Sequence, residues 1–416
     1  MKIVVNGKKF IYTAAAGVLW MLLVAPEGIY KISPLIAKLL WSKTIQLLYI
    51  PIFVLLVFIK RRNYRTVPLT FLPIGYIVVV FFLTLLNGGS IVAFFENYNR
   101  PLCGCLLFFC FSDHLEELLN ALLIYFGILI LLNLVCMFLY PDGMYITEKT
   151  RYYLNWLLGY KSSLQYYIYP FVTVILLKVT YNGFRIYYIG ALVLAIYTTF
   201  KSENMMLLVG LLIIILIVVL GINRLKLIFN GFTCLLVSIV SNVIVLFMME
   251  MIIFSSWGQK LVNVLGKDFT FSGRANIIWP AAIHNIMLRP LTGYGILEAD
   301  RVRNMLKMPA AIHAHNQFLD VMLNGGIGLL IVYGGVLYLI ASKLTKYADL
   351  KSAKILCVCL LGLYIMVIFE VFTRGISSGI WLMFCLALHP QVVDMQLGKN
   401  IKIKKKKKKR KIIIKL

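Results

Sequence analysis

Three of the chain's five histidines, His284, His313 and His315, fall between residues 255 and 324; the other two, His114 and His389, stand near the ends of apolar runs. An imidazole with an ordinary pKa of about 6.5 can take a proton near neutral pH, so this concentration marks the stretch for general-base chemistry. The same stretch holds Lys260, Lys267, Arg274, Arg289, Arg301, Arg303 and Lys307 against Asp268, Glu298, Asp300 and Asp320, an excess of three positive charges. Guanidinium forks bind phosphate oxygens in pairs, and diphosphate is the anion such a surplus suits. A solvated basic loop drawn to lipid headgroups would explain the charge equally well.

The segment Ala314-His315-Asn316-Gln317-Phe318-Leu319-Asp320 reads as a helix that begins near His315 and breaks at Asn324-Gly325-Gly326. His315 would then lie in the first turn, where exposed amides disfavour an imidazolium and keep the ring able to accept a proton. Capping the helix, or packing at a membrane interface, is the other use of a histidine there.

The elements that must position these residues are apolar. Of 416 residues, 61% are hydrophobic and 14% charged, with a mean hydropathy of +0.88, which excludes an ordinary soluble domain. Apolar runs long enough for a hydrocarbon core of roughly 30 Å recur along the chain and predict about twelve spans. Backbone exposed to lipid must bond within its own segment, so the fold class is all-α, a polytopic bundle. The net charge of +26, from 42 basic and 16 acidic residues, is spread between apolar runs rather than over one soluble face, and predicts anionic lipid rather than nucleic acid as the partner.

The clusters Lys60-Arg61-Arg62 with Arg65, then Arg185, Arg224 with Lys226, Lys343 to Lys354, and the tail Lys404 to Lys411 all fall on one side if both termini are cytoplasmic, as the positive-inside rule requires. Residues 1–398 then form one transmembrane domain, 399–416 a polybasic cytoplasmic tail, and 255–324 a large extracytoplasmic loop. Residues 141–163 and the shorter 88–101 are further outward connections. The apolar run after the basic N-terminus lacks a small-residue cleavage site and reads as a retained first span. The eight cysteines lie in apolar stretches with no CxxC pair, against a disulfide framework or zinc site.

Two other groups could be functional or structural. Glu370 and Arg374 are four residues apart, on one face if the segment is helical, and are expected to pair with each other. Tyr152, Tyr153, Trp156 and Tyr160 could stack on sugar rings or anchor the chain at the interface.

The elements Phe271-Ser272-Gly273-Arg274, Trp279, Arg289-Pro290-Leu291-Thr292-Gly293-Tyr294-Gly295, Ala314-His315-Asn316 with Leu319, and Gly325-Gly326-Ile327-Gly328-Leu329, in this order, resemble the O-antigen polymerase and ligase superfamily over about residues 271–335. The resemblance implies a GT-C-like membrane bundle that transfers sugar chains from an undecaprenyl diphosphate donor, with inversion and without metal or cofactor, outside a bacterial cytoplasmic membrane. By its motifs, Arg274 would grip the diphosphate and His315 would activate the acceptor hydroxyl, with His313 in reserve. Arg289, Arg301 and Arg303 are the further substrate-binding candidates. The family often has a Ser-Arg pair at the outer end of a middle span; here the sequence is Phe200-Lys201-Ser202-Glu203, so either Lys201 supplies that charge or the contact is missing.

Guanidinium groups would stabilise the charge growing on the diphosphate, and an imidazole would take the proton of a poorly nucleophilic hydroxyl. No DxD stands in the outer loops to hold a metal, since Asp268, Glu298 and Asp300 are dispersed. The leading expectation is a polymerase of lipid-linked repeat units for capsule, exopolysaccharide or O-antigen, with a flippase and a chain-length regulator as partners. A ligase passing finished glycan to another acceptor shares the chemistry. A lipid-linked sugar transporter is the remaining class, although its essential charges should line the spans.

Overall fold

The computed structural model describes residues 7–147, 152–221, 230–256, 260 and 273–398. The expected tail at 399–416 lies outside these residues, as do Arg224, Lys226, Lys267, Asp268, Phe271 and Ser272. The described chain is mostly helical, with several apolar helices, as a membrane protein requires. Pro68–Leu86, Ile91–Leu139 and Gln317–Lys346 are long and apolar enough to cross a bilayer, and Ser378–Leu388 with Pro390–Gly398 forms a fourth candidate bent by 91°. Ile186–Lys201, Met205–Leu220 and Gly231–Leu246 are apolar but shorter. A 16-residue helix such as Ile186–Lys201 rises about 24 Å, so apolar content alone predicts more spans than helix length does. Leu86, Val219 and Ile331 project from the surface, as helices apolar on all faces do in lipid.

Two expected loops are built differently. Within 88–101, helix starts at Ile91, where the Ser90 side chain accepts from the Ala93 amide and caps it. The connection is therefore confined to the residues around Gly88. Within 141–163, Tyr145–Thr147, Tyr152–Trp156 and Gly159–Tyr160 form a three-stranded antiparallel sheet, so the chain is not wholly helical. Trp156 is buried and its indole donates to the Tyr140 carbonyl at 2.9 Å, which makes it a core residue of that cap and removes it from any sugar-stacking surface.

The helix Gln317–Lys346 is broken as its glycines predict. Gly326 has φ +59° and ψ −159°, and a Cβ there would come within 2.3 Å of the Leu291 backbone. The segment 290–295 docks against the break and takes up the interrupted bonding. The Tyr294 and Gly295 amides donate to the carbonyls of Leu323 and Asn324 at 3.0 and 2.8 Å, and the Ile327 amide donates to the Pro290 carbonyl at 2.8 Å. This is irregular backbone covered by protein, the form in which membrane proteins tolerate it.

A second break separates Lys351–Met366 from Ser378–Leu388. Side chains from elsewhere satisfy it. Tyr166 donates to the Val371 carbonyl at 2.7 Å, Asn316 to the Ile368 carbonyl at 3.0 Å, and the Gln317 carbonyl oxygen accepts from the Phe372 amide at 2.8 Å. Glu370 and Arg374 both lie in this non-helical stretch, so the four-residue spacing does not put them on one helix face, and they do not pair with each other.

Candidate active site

The two breaks meet. Arg274 opens a π-helical turn, Arg274–Ile278, entered through Gly273 in the left-handed region at φ +82°. Its Nη2 donates to Glu370 Oε1 at 3.1 Å and faces His315 Nδ1 at 3.3 Å. Guanidinium nitrogens only donate, so the lone pair of Nδ1 points at Arg274 and the proton of the neutral ring sits on Nε2. Glu370 Oε2 is 3.8 Å from the same Nδ1, beyond hydrogen-bond length and within strong coulombic reach.

His315 occupies the left-handed region at φ +49°, which a non-glycine residue adopts only when its surroundings dictate it. It stands one residue outside the helix, because Asn316 is the cap. The Asn316 side-chain Oδ1 accepts from the Phe318 and Leu319 amides, both at 3.0 Å, and its Nδ2 donates to Asn242 Oδ1 at 2.8 Å. The expected first-turn placement of His315 is thus off by two positions: the amide side chain of asparagine caps better than imidazole.

The turn before the helix is clamped from below. Asp320 Oδ1 accepts from the Ala314 amide at 3.2 Å and from Arg374 Nη2 at 2.7 Å, and Asn324 donates to Oδ2 at 3.0 Å. Arg374 Nη2 also donates to the Ile312 carbonyl at 3.2 Å. His313 sits in this turn with its Nδ1 accepting from the His315 amide at 3.1 Å, and the two rings are 4.1 Å apart.

Burial is the largest influence on both imidazoles and lowers their pKa values from the usual histidine value, that of His313 strongly. For His315 the Glu370 carboxylate works in the opposite direction, while the Arg274 charge adds to the lowering. Both rings are therefore neutral at pH 7, and His315 is in the form that accepts a proton. His313, His315 and Glu370 also present donor atoms that all lie within 4.8 Å of one another, close enough for a metal ion.

The structure brings Arg274, His315 and His313 together and leaves the other sequence candidates outside the cluster. Arg289 ends the helix Trp279–Leu288, is exposed, and stacks over the Tyr294 ring at 4.9 Å. Arg303 pairs with Asp300 on the short helix Ala299–Met305, and Arg301 on the same helix is exposed. Lys201 ends the helix Ile186–Lys201, exposed, with Nζ 5.9 Å from the centre of the Phe138 ring. His284 is exposed on the surface of its helix.

Glu370, Asp320 and Arg374 are the members sequence reasoning missed as site residues. The available signal was Glu370-Val-Phe-Thr-Arg374-Gly-Ile-Ser-Ser378: two charges in an apolar run followed by glycine and paired serines, which interrupt a helix.

No curated protein matches the chain. Residues 187–334 match the family described as O-antigen ligase, a segment that contains Lys201, Arg274, Arg289, Arg301, Arg303, His313 and His315 and ends before Glu370. Over residues 187–334 the chain is therefore similar to the O-antigen ligase family, which supports the resemblance to the O-antigen polymerase and ligase superfamily.

Proposed function

We propose that the protein joins lipid-linked oligosaccharide units by inverting glycosyl transfer from an undecaprenyl diphosphate donor, with no metal required, at the outer face of a bacterial cytoplasmic membrane. The observation that carries this reading is Arg274 Nη2 set between Glu370 Oε1 at 3.1 Å and His315 Nδ1 at 3.3 Å. A cation that can bind phosphate is in contact with a lone pair that can take a proton.

Donor diphosphate competes for the Arg274 fork and draws it from His315, which exposes Nδ1 to the acceptor. The acceptor hydroxyl gives its proton to Nδ1 as its oxygen attacks the anomeric carbon. The bond from that carbon to the diphosphate oxygen breaks on the opposite face, and the electron pair leaves with the diphosphate, so the anomeric configuration inverts. Arg274 stabilises the leaving charge, for which contacts of this kind are worth about 2 to 4 kcal/mol. The Glu370 carboxylate faces the imidazolium that forms. Asp320 and Arg374 fix the turn that aims His315.

In this reading both termini are cytoplasmic, the chain crosses the membrane about twelve times by hydropathy, and residues 255–324 are extracytoplasmic. Arg289, Arg301, Arg303 and Lys201 lie outside the reacting cluster and attract anionic donor to it. A flippase delivers the units and a chain-length regulator ends their growth. Ligase chemistry, which the family description favours, would use the same cluster with a different acceptor.

The test is reconstitution with purified lipid-linked repeat units in the presence of chelator. Growth of the lipid-linked chain is expected from the parent protein and loss of it from Arg274→Ala and His315→Ala. Undiminished growth in both variants would remove the catalytic assignment, and loss of growth on chelation would remove metal independence. Transfer only to a lipid A core or protein acceptor would make the enzyme a ligase. Labelling of a cysteine placed at Arg301 by a reagent that cannot cross the bilayer checks the orientation.

A further inference from the structure

The cluster contains a donor set that glycosyl transfer does not use as such. Two imidazoles and one carboxylate, from His313, His315 and Glu370, converge with all donor atoms within 4.8 Å. Borderline divalent cations take this combination of nitrogen and oxygen ligands, with bonds of about 2.0 to 2.2 Å and ligand atoms about 3.3 Å apart in a tetrahedral site. The His315 Nδ1 to Glu370 Oε2 distance is already 3.8 Å, so small side-chain rotations close the set. His315 retains 20% exposure of its side chain, which leaves it reachable by a hydrated ion.

Arg274 stands in the way. Its Nη2 holds one oxygen of the carboxylate at 3.1 Å and the Nδ1 lone pair at 3.3 Å, the same two groups a cation would need. The Nδ1 lone pair cannot serve a guanidinium and a dication at once, and on the carboxylate the two like charges would sit on neighbouring oxygens and repel. Binding at His313 has its own cost, since engaging either ring nitrogen displaces the hydrogen bond that Nδ1 accepts from the His315 amide.

We propose that His313, His315 and Glu370 form an inhibitory site for a borderline divalent cation, with Zn²⁺ as the probe, and that the cation and Arg274 compete for His315 and Glu370. The inhibitory consequence rests on the catalytic reading above, because the ion would occupy the base and displace the diphosphate-binding arginine; the binding itself does not. Hard cations with a preference for oxygen, such as Mg²⁺, would not take the place.

The experiment is calorimetric titration of the chelator-stripped full chain in nanodiscs with Zn²⁺, supported by the absorption of bound Co²⁺, with no turnover required. One site is expected, weakened at least tenfold in His313→Ala and in Glu370→Gln, and tightened at least tenfold in Arg274→Ala because a competing charge is gone. Because an unfolded chain can bind Zn²⁺ through its cysteines, the gain must keep one site per chain and be lost again when His313→Ala is added to Arg274→Ala. Affinity unchanged in His313→Ala and Glu370→Gln, or unchanged or weaker in Arg274→Ala, overturns the proposal. In the transfer assay Zn²⁺ should inhibit the parent protein while Mg²⁺ does not. An inactive parent would count against the catalytic reading and leave the calorimetric result standing.

Discussion

Among the described residues, two charged clusters of the bundle are built on different backbones. In one, Lys9 Nζ pairs with Glu116 at 2.8 Å and Glu117 at 3.7 Å, Lys178 Nζ donates to the Glu116 carbonyl at 3.3 Å, and His114 lies stacked on Tyr12 with ring centres 3.6 Å apart. Its lysines and glutamates stand on regular helices, Gly7–Leu23, Leu115–Leu139 and Gln165–Asn182. In the other, Arg274 comes from a π turn, His315 from a left-handed residue before a helix, and Glu370 and Arg374 from a gap between helices. Both match acid with base. Regular helices bring ions together so that each makes the other tolerable. Broken helices also present side chains and backbone groups in directions no helix face offers, at the expense of partners recruited to satisfy them.

If that contrast separates chemistry from scaffolding, substitution in the second cluster should cost turnover far more than substitution in the first. The largest effect belongs to His315→Ala, with an expected fall in the transfer rate of about 100-fold to 10,000-fold, the range for removing a general base, measured as single-turnover glycosyl transfer. A fall of less than tenfold would break the comparison.

The next effect is on stability. Arg374 and Asp320 have side-chain exposures of 8% and 1%, and removing one member of such a pair leaves a buried charge unmatched, at about 3 to 5 kcal/mol. Arg374→Leu should therefore lower the thermal unfolding midpoint markedly. Arg374→Leu combined with Asp320→Leu should recover part of the loss, because neither charge is then left alone. Equal midpoints for the single and double variants would show that the pair is not what holds the turn.

The fold was legible where a single run of residues decided it. The apolar composition dictated helices in lipid, and Asn324-Gly325-Gly326 announced the kink that Gly326 makes. The GR and HN elements led to Arg274 and His315 because each is a local pattern. Glu370 was not legible in its role, because its partners are 96 positions away for Arg274 and 55 for His315, and a spacing of four invited pairing with Arg374. That inference assumed a helix through 367–377, which Thr373, Gly375 and the two serines deny. Surplus charge in one stretch likewise gathered Arg289, Arg301 and Arg303 with Arg274, although of these four only Arg274 follows a left-handed glycine and reaches His315.

A smaller effect concerns pH. In the proposed role His315 can act only when neutral, and burial holds its pKa below the ordinary histidine value, so the rate should stay level as pH falls to about 6.5 and decline only at more acid pH. Glu370 raises that pKa against the effect of burial. Replacing it in Glu370→Gln removes an anion that favours the imidazolium, so the acid limb should move to lower pH while the plateau rate drops. A limb that moved upward would mean that Glu370 does not act on His315 by its charge.

The smallest effect comes from the cluster on regular helices and makes the comparison sharpest. Lys178 is buried, yet Glu116 and Glu117 keep Lys9 as a partner when it is replaced. Lys178→Met fills the same apolar path with a side chain of similar length and loses one hydrogen bond to a carbonyl, about 1 kcal/mol. Turnover should change by less than twofold and the unfolding midpoint by a few degrees at most. A loss of turnover approaching that of His315→Ala, at unchanged stability, would mean that a regular helical surface can also carry the chemistry and that broken backbone is no guide to the active site in this protein.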